Sequence, residues 1–452
     1  MATTARTIDV AAFIDGRKLS GFNYRLIILS WLITVFDGFD MMMISFTAPY
    51  MRDELGLSKT MLGNVFSAGT AGAVIGGFLF SYIGDRIGRR PTVILTAFGF
   101  GILTVLTAFA QSYPTLLLLR FLDGMAIGGM LPLAWALNIE FVPRAMRATI
   151  VTVIMLGYSL GSAISAPLTN LIAPHYGWEG VYVAGGVGTI ACAFGLLFGL
   201  PESIRFLVVR GNRPQQVATL MTRLDPAFAG RADDIFILGD ELEAPRTFHA
   251  RELFRGPLAR ITPLLWLGYM VSSMAIYFMA SWGPTVLETL DVPRRTAASI
   301  SAAAGLLGAL AGLSLMRFTD RYGPRAVAFY PLLAVPVLLA MGFDAVPASL
   351  FVASYVLSTI VISGAHYGIL SISGIYYPSS MRASGAGWAS SVGKIAGVAG
   401  PVVGAVILSS DLPVLRSFAF LALCPAVLLL CALGLSVATR GTRAVPPIAG
   451  ER

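Results

Sequence analysis

An all-α membrane protein with twelve transmembrane helices in two pseudo-symmetric six-helix bundles is the fold class this chain predicts. Three observations carry the expectation. Of 452 residues, 56% are hydrophobic and only 12% are charged, a balance far more apolar than that of a soluble protein of this size. Crossing a bilayer core of about 30 Å takes about 20 helical residues, and runs of that length recur twelve times between polar or Gly/Pro-marked breaks. A charged motif that closes the second run also returns after the eighth. In order, the runs fall near 24–48, 60–83, 91–111, 115–140, 148–172, 178–200, 262–287, 297–318, 324–344, 347–375, 383–409 and 412–438. They do not alternate in polarity as the strands of a membrane barrel would. The only long polar segment, 201–260, has nine basic and eight acidic residues and an expected amphipathic helix around Gln215–Arg223. The layout is therefore an N-terminal segment over 1–23, a bundle over 24–200, a central loop over 201–260, a second bundle over 261–438 and a tail over 439–452.

Segment 1–23 has charges and no long apolar core, so no cleavable signal peptide is expected, the first span directs insertion, and the mature chain starts at Met1 or Ala2. Of 32 Lys and Arg, five (Arg52, Lys59, Arg294, Arg295, Arg416) fall in odd-to-even loops and two (Arg120, Lys394) within spans, leaving 25 for the opposite side. The positive-inside rule then places both termini, the central loop and the tail in the cytoplasm. That bias accounts for the net charge of +8, so no nucleic-acid partner is implied. Cys192, Cys424 and Cys431 all lie in apolar spans, with no disulfide or metal spacing.

"GDRIGRR" (Gly84–Arg90) follows the second span and "TDRYGPR" (Thr319–Arg325) the eighth. Asp85 and Asp320 are 235 residues apart, as a duplicated six-span unit requires. Such repeats mark transporters that bind substrate between their halves near the midplane. Gly88 permits a tight turn, and Asp85 can pair with nearby arginines or with the positive N-terminus of a helix. Asp85, Arg86, Gly88, Arg89, Asp320, Arg321, Glu140 and Arg147 thus form a candidate conformational latch. The competing reading is that these charges only set topology. "SYIGDRIGRR" (Ser81–Arg90) resembles the signature of the major facilitator superfamily, with Ser81 in place of its first glycine. "RFLDGMAIGGMLP" (Arg120–Pro132), "EFVPRAMR" (Glu140–Arg147) and "LPESIRFL" (Leu200–Leu207) resemble the same superfamily. Gly124, Gly128 and Gly129 are read as small residues for close helix packing.

The first span contains "WLITVFDGFDMM" (Trp31–Met42), in which Asp37 and Asp40 share one helix face at mid-span. Ionisable groups at that depth commonly face a polar cavity and mark a substrate or proton path. The alternative is a static ion pair with Arg120 or Lys394. Gly38 between them allows a bend or the approach of a ligand. "DGFD" here, with "YYPSSMRASGAGWASSVGKIAGVAGP" (Tyr376–Pro401), resembles the aromatic acid:proton symporter family of bacteria. That resemblance implies import of benzoate-type acids to feed ring-cleavage catabolism. Two departures stand out: Lys394 occupies the place of the family's arginine in the eleventh span, and His366 the place of a glutamine in the tenth, "GAHYGILSIS". Lysine holds an anion without the planar fork of arginine, and histidine can donate to a carboxylate or phenol or simply pack helices.

In the seventh span, "WLGYMVSSMAIYFMASW" (Trp266–Trp282), Tyr269, Ser273 and Tyr277 recur every fourth residue as a polar, aromatic stripe. With Tyr367 and Trp388 they offer hydroxyl donors and stacking surfaces for a flat ring. For Trp266 and Trp282, near the span ends, an interfacial belt is the competing explanation, so they are not counted among the substrate residues.

The expected protein is a bacterial inner-membrane transporter that imports an aromatic carboxylic acid with protons by alternating access. Asp37, Asp40 and Arg120 would couple protons, and Lys394, His366, Tyr269, Ser273, Tyr277, Tyr367 and Trp388 would bind substrate. Expected partners are the acid anion, H+ and the bilayer, with the chain a monomer. No cofactor beyond the coupling proton is expected, and no metal. Alternatives are symport of a dicarboxylate, a shikimate-like acid or a pyridine carboxylate, a non-transporting acid sensor, and an efflux antiporter. The fifth span "GYSLGSAISAP" (Gly157–Pro167) lacks the fuller Gly-Pro-x-x-Gly-Gly pattern of exporters. An enzyme or ATP-driven pump is not expected, because no nucleotide loop, metal cluster or nucleophile elbow is present.

Overall fold

The computed structural model describes residues 6–211, 213–231, 234–239, 250–342, 347–377, 382–410 and 414–439. Most of the proposed tail lies outside these residues. A short helix α1 (Val10–Asp15) precedes α2 (Gly21–Leu55), α3 (Lys59–Ile87), α4 (Arg89–Thr107), α5 (Tyr113–Glu140) and α6 (Arg147–Gly199). Helices α7 (Ile204–Arg210) and α8 (Pro214–Leu224) follow. Then come α9 (Leu258–Glu288), α10 (Arg294–Tyr322), α11 (Pro324–Met341), α12 (Ala348–Tyr376), α13 (Arg382–Ser409), α14 (Val414–Leu421) and α15 (Leu423–Ala438).

Among the described residues, 11 helical stretches are long and apolar enough to span a membrane. One of them contains α6, whose 53 residues would run about 80 Å at 1.5 Å per residue. That is far beyond a single crossing. Gly177 breaks it at φ 67°, so α6 supplies the fifth and sixth spans and the total is twelve. The final expected span is split between α14 and α15. Helix starts follow local chemistry. Ser112 caps α5 by accepting from the Thr115 N–H, with Pro114 in the first turn. Gly88 turns the chain from α3 into α4 at φ 112°, a conformation that favours glycine.

Two compact units gather the described residues within 1–41, 71–162 and 175–245, and within 42–70, 163–174 and 246–452. In the first unit, α3 crosses α5 so closely that a Cβ on Gly128 would overlap the backbone of Ala73. Apolar side chains gain little by leaving lipid, so such close backbone packing is what holds spans together. Gly38 has the same role toward α6, since a Cβ there would collide with the Tyr158 carbonyl. This corrects the expectation of a bend or ligand approach: the glycine in "DGFD" is a helix-crossing residue.

The first unit also contains a small module not expected from the sequence. Strand β1 (Thr7–Asp9) pairs in parallel with β2 (Ile235–Ile237), Ile8 opposite Phe236. Asp9 caps α1 through Ala11 N–H and also accepts from Gly239 N–H. Val10 and Ile14 of α1 are buried with Leu207 of α7 and Val217, Leu220, Met221 and Leu224 of α8. The expected amphipathic helix of the central loop is therefore present as α8, with its apolar face turned into this core.

In the second unit, the C-terminal end of α2 meets the N-terminal end of α10. Arg294 donates to Asp53 at 2.8 Å and to Glu288 at 3.3 Å, and lies 4.5 Å from the Tyr50 ring centroid.

Candidate functional site

The polar group nearest the first-span motif is built from three helices. Arg120 of α5 makes a two-toothed pair with Asp40 of α2: Nη2 donates to Oδ2 at 2.9 Å and Nη1 to Oδ1 at 3.1 Å. Nη1 also donates to Asp123 Oδ2 at 2.7 Å, one turn along α5. Asp123 Oδ1 accepts from Thr104 Oγ1 of α4 at 3.2 Å. Asp40, Arg120 and Asp123 are 1%, 3% and 0% exposed, and Asp37, one turn before Asp40, is 1% exposed. The ring of Tyr182, from α6, lies 5.9 Å from the guanidinium carbon. Arg120 is thus the direct, two-toothed partner of Asp40.

Three carboxylates and one guanidinium are gathered here away from solvent. Buried charges persist only when paired and hydrogen-bonded, and Arg120 meets that condition through Asp40 and Asp123. Sequence reasoning missed Asp123, Thr104 and Tyr182. The signal for Asp123 was present: a carboxylate three residues after a mid-span arginine shares its helix face.

The predicted substrate side chains lie in the second unit. Tyr269, Ser273 and Tyr277 do share a face of α9, and that face rests on glycines of α13. A Cβ on Gly393 would meet Ser273 and Tyr269, and one on Gly397 would meet Tyr277. Lys394 follows Gly393 on α13 and is exposed. His366 of α12 lies 2.9 Å from Ser272 Oγ through Nδ1 and packs edge-on against Tyr269 at 6.0 Å. Ser272, which the sequence reading did not single out, is therefore the hydroxyl on the histidine. Tyr367, beside it, is about one-third exposed.

Trp388, expected to offer a stacking surface, is stacked on Trp266 at 6.1 Å and 14° while remaining 46% exposed. The interfacial-belt reading of Trp282 is corrected. Its ring is 0% exposed, donates to the Pro401 carbonyl at 3.0 Å and meets Phe66 edge-on. A residue near a span end can point inward, and helix packing rather than the membrane interface claims this indole.

The latch residues fall into separate arrangements. Arg89 ion-pairs with Glu140, which also accepts from Ser203 Oγ at 2.6 Å. Arg147 donates to the Val142 carbonyl. Arg86 lies over the Tyr82 ring, and its carbonyl accepts from Arg210. Arg321 lies over Tyr322. The N-terminus of α4 is occupied by Glu202, which accepts from the N–H groups of Arg89 and Arg90 at 2.9 and 3.1 Å. Asp85, expected as a candidate for that position, is exposed. Asp320 lies in α10, and its side chain is outside the described ones.

The family model of the Major Facilitator Superfamily matches residues 30–401. The chain is 31% identical over 420 residues to a gallate transporter of Pseudomonas putida, covering 92% of each. It is 30% identical over 402 residues to the 4-hydroxybenzoate transporter PcaK of Pseudomonas aeruginosa, covering 89% of this chain and 90% of that one. Among solved structures, a bacterial homologue of the human lysosomal transporter Spinster superposes with a TM-score of 0.72 at 16% identity, over 94% of this chain and 98% of that one. A D-xylose–proton symporter superposes with a TM-score of 0.70 at 17% identity, over 95% and 100%.

Proposed function

The chain belongs to the major facilitator superfamily, and from that premise we propose that it imports an aromatic carboxylic acid of the benzoate or hydroxybenzoate type together with protons. It is a multi-span transporter and not an enzyme. The substrate class rests on relatives that carry gallate and 4-hydroxybenzoate by name and align over about nine-tenths of their length. The buried Asp40–Arg120 pair is the observation that supports proton coupling. Protonation of Asp40 removes the negative charge that holds the guanidinium, so proton uptake is tied to a rearrangement between α2 and α5. Lys394 is the cation proposed to receive the substrate carboxylate, with His366 and Tyr269 donating to ring substituents. The proton is the only coupling ion in this reading. The protein acts as a monomer in a bacterial inner membrane, with both termini in the cytoplasm, a placement the Lys/Arg bias supports.

Purified protein in liposomes with an internal pH-sensitive dye tests the reading. Gallate, 4-hydroxybenzoate, benzoate and aliphatic acids are added singly, and protein-free liposomes give the passive entry to be subtracted. Saturable, protein-dependent acidification restricted to ring acids is expected. Acidification only with aliphatic acids, or none with any acid, would overturn it.

A further inference from the structure

We propose that Asp123 is the second seat of Arg120, a positioning residue that keeps the guanidinium paired when Asp40 takes up the transported proton. The inference rests on the proton-coupled reading above. Arg120 and Asp123 sit one turn apart on the same helix, α5, whereas Asp40 is on α2. The Arg120–Asp123 bond therefore survives any movement of α2 against α5, and the Asp40 bonds do not. The geometry already shares the cation: one nitrogen, Nη1, donates to both carboxylates. Thr104 holds the far oxygen of Asp123, which keeps the near oxygen aimed at Arg120.

A proton from the side of higher acidity joins the Asp40 carboxylate, giving a neutral acid. Arg120 keeps its own proton and its charge, and turns wholly to Asp123. Release of the proton on the other side restores the two-toothed pair. Without Asp123, protonating Asp40 would take away both carboxylates to which the buried guanidinium is hydrogen-bonded, which is strongly opposed. The variant lacking Asp123 should therefore need more acid to load.

The groups around Asp123 are few. Asp40 faces it from α2, with Asp37 one turn earlier on the same helix. Arg120 lies on α5 itself, and Tyr182 of α6 is within reach of that guanidinium. Helix α4 contributes Thr104 and carries no ionisable side chain after Arg90. Helix α3, crossing α5 at Gly72 and Gly76, carries none between Lys59 and Tyr82.

The test is initial uptake of the ring acid that wild type transports, measured in liposomes across external pH and normalised to each variant's own maximum. A general loss of rate then leaves the profile in place. Asp123→Asn is expected to move the midpoint to lower pH by about one unit, because Arg120 then acts wholly on Asp40 and one nearby opposite charge lowers a carboxylate by about one to three units. Asp123→Glu should restore most of the shift. Thr104→Val, which leaves every charge in place and removes only the hydroxyl that donates to Asp123, should give a smaller shift in the same direction and serves as the deciding variant if Asp123→Asn does not fold. An Asp123→Asn profile superimposed on wild type, or a Thr104→Val profile superimposed on it where Asp123→Asn is unfolded, overturns the proposal. Absence of any pH-dependent uptake in wild type would instead sink the symport reading itself.

Discussion

At the scale of single residues, the Asp40–Arg120 pair and Lys394 carry the predictions that separate coupling from binding. For symport of one proton per monoanion, an inward gradient of one pH unit supports about tenfold accumulation, the ratio equivalent to about 1.4 kcal/mol. Asp40→Asn should reduce this to no accumulation, and wild-type accumulation by that variant would remove Asp40 from the coupling role. Arg120→Ala should instead attack the fold, because removing one partner of a buried pair costs about 3–5 kcal/mol; a thermal unfolding curve in detergent unchanged from wild type would refute it. For Lys394, replacement by Ala should raise the KM for 4-hydroxybenzoate, whereas Arg, which supplies a planar two-toothed grip, should preserve or lower it. Equal KM values in all three proteins would take Lys394 out of the site. The sequence made Asp37, Asp40 and Arg120 visible because charge in an apolar run is conspicuous. Asp123 was hidden by being read as part of a longer motif. Trp282 was misjudged because distance from a span end says nothing about which way an indole points.

At the scale of elements, span positions were legible because an apolar run of about twenty residues matches the thickness of a bilayer core. The break in α6 was legible too, since the gap between the fifth and sixth runs contains Gly177. What glycine does within a span was not, because close approach depends on the neighbouring helix. Gly128 shows the consequence: a β-branched side chain there would push α3 and α5 apart at Ala73. Overpacking of this kind costs about 1–3 kcal/mol, so Gly128→Val should lower the unfolding temperature in detergent. An unchanged temperature would mean the crossing is looser than described. The same limit hid the tie among Asp53, Glu288 and Arg294, whose residues are hundreds of positions apart or separated by a turn. These groups remain partly exposed, where single pairs are worth about 0–1 kcal/mol, so the tie adds little to stability. It joins the end of α2 to the start of α10.

At the scale of the whole molecule, the module formed by the N-terminal segment and the central loop joins the two ends of the chain that makes the first six spans. Its strands are three residues each and their partners lie more than two hundred positions apart. No periodicity can announce such a pairing, which is why the sequence disclosed α8 and left β1 and β2 unread. Two kinds of contact hold it. Apolar burial of Val10 and Ile14 supplies about 1.5–3 kcal/mol for each side chain. Polar fastening comes from Arg6, which donates to both oxygens of Asp234 at 3.0 and 2.8 Å, while its carbonyl accepts from the Ile235 N–H. Hydrogen bonding from Arg6 holds the Asp234 carboxyl below the usual carboxylate range. A carboxyl lowered in the folded state contributes stability that is complete above its unfolded value, about 3.9, and is lost as pH falls through the lower folded value. The module should therefore be indifferent to pH between neutrality and about 5 and loosen only in stronger acid. Hydrogen exchange at Ile8 and Ile235, corrected for intrinsic rates, reads this out. Arg6→Gln should raise exchange at both strands at neutral pH, and Asp234→Asn should do the same. The double variant should add little to either, because both remove one shared interaction. If exchange in Arg6→Gln matches wild type, apolar burial alone holds the module together and the ion pair is incidental.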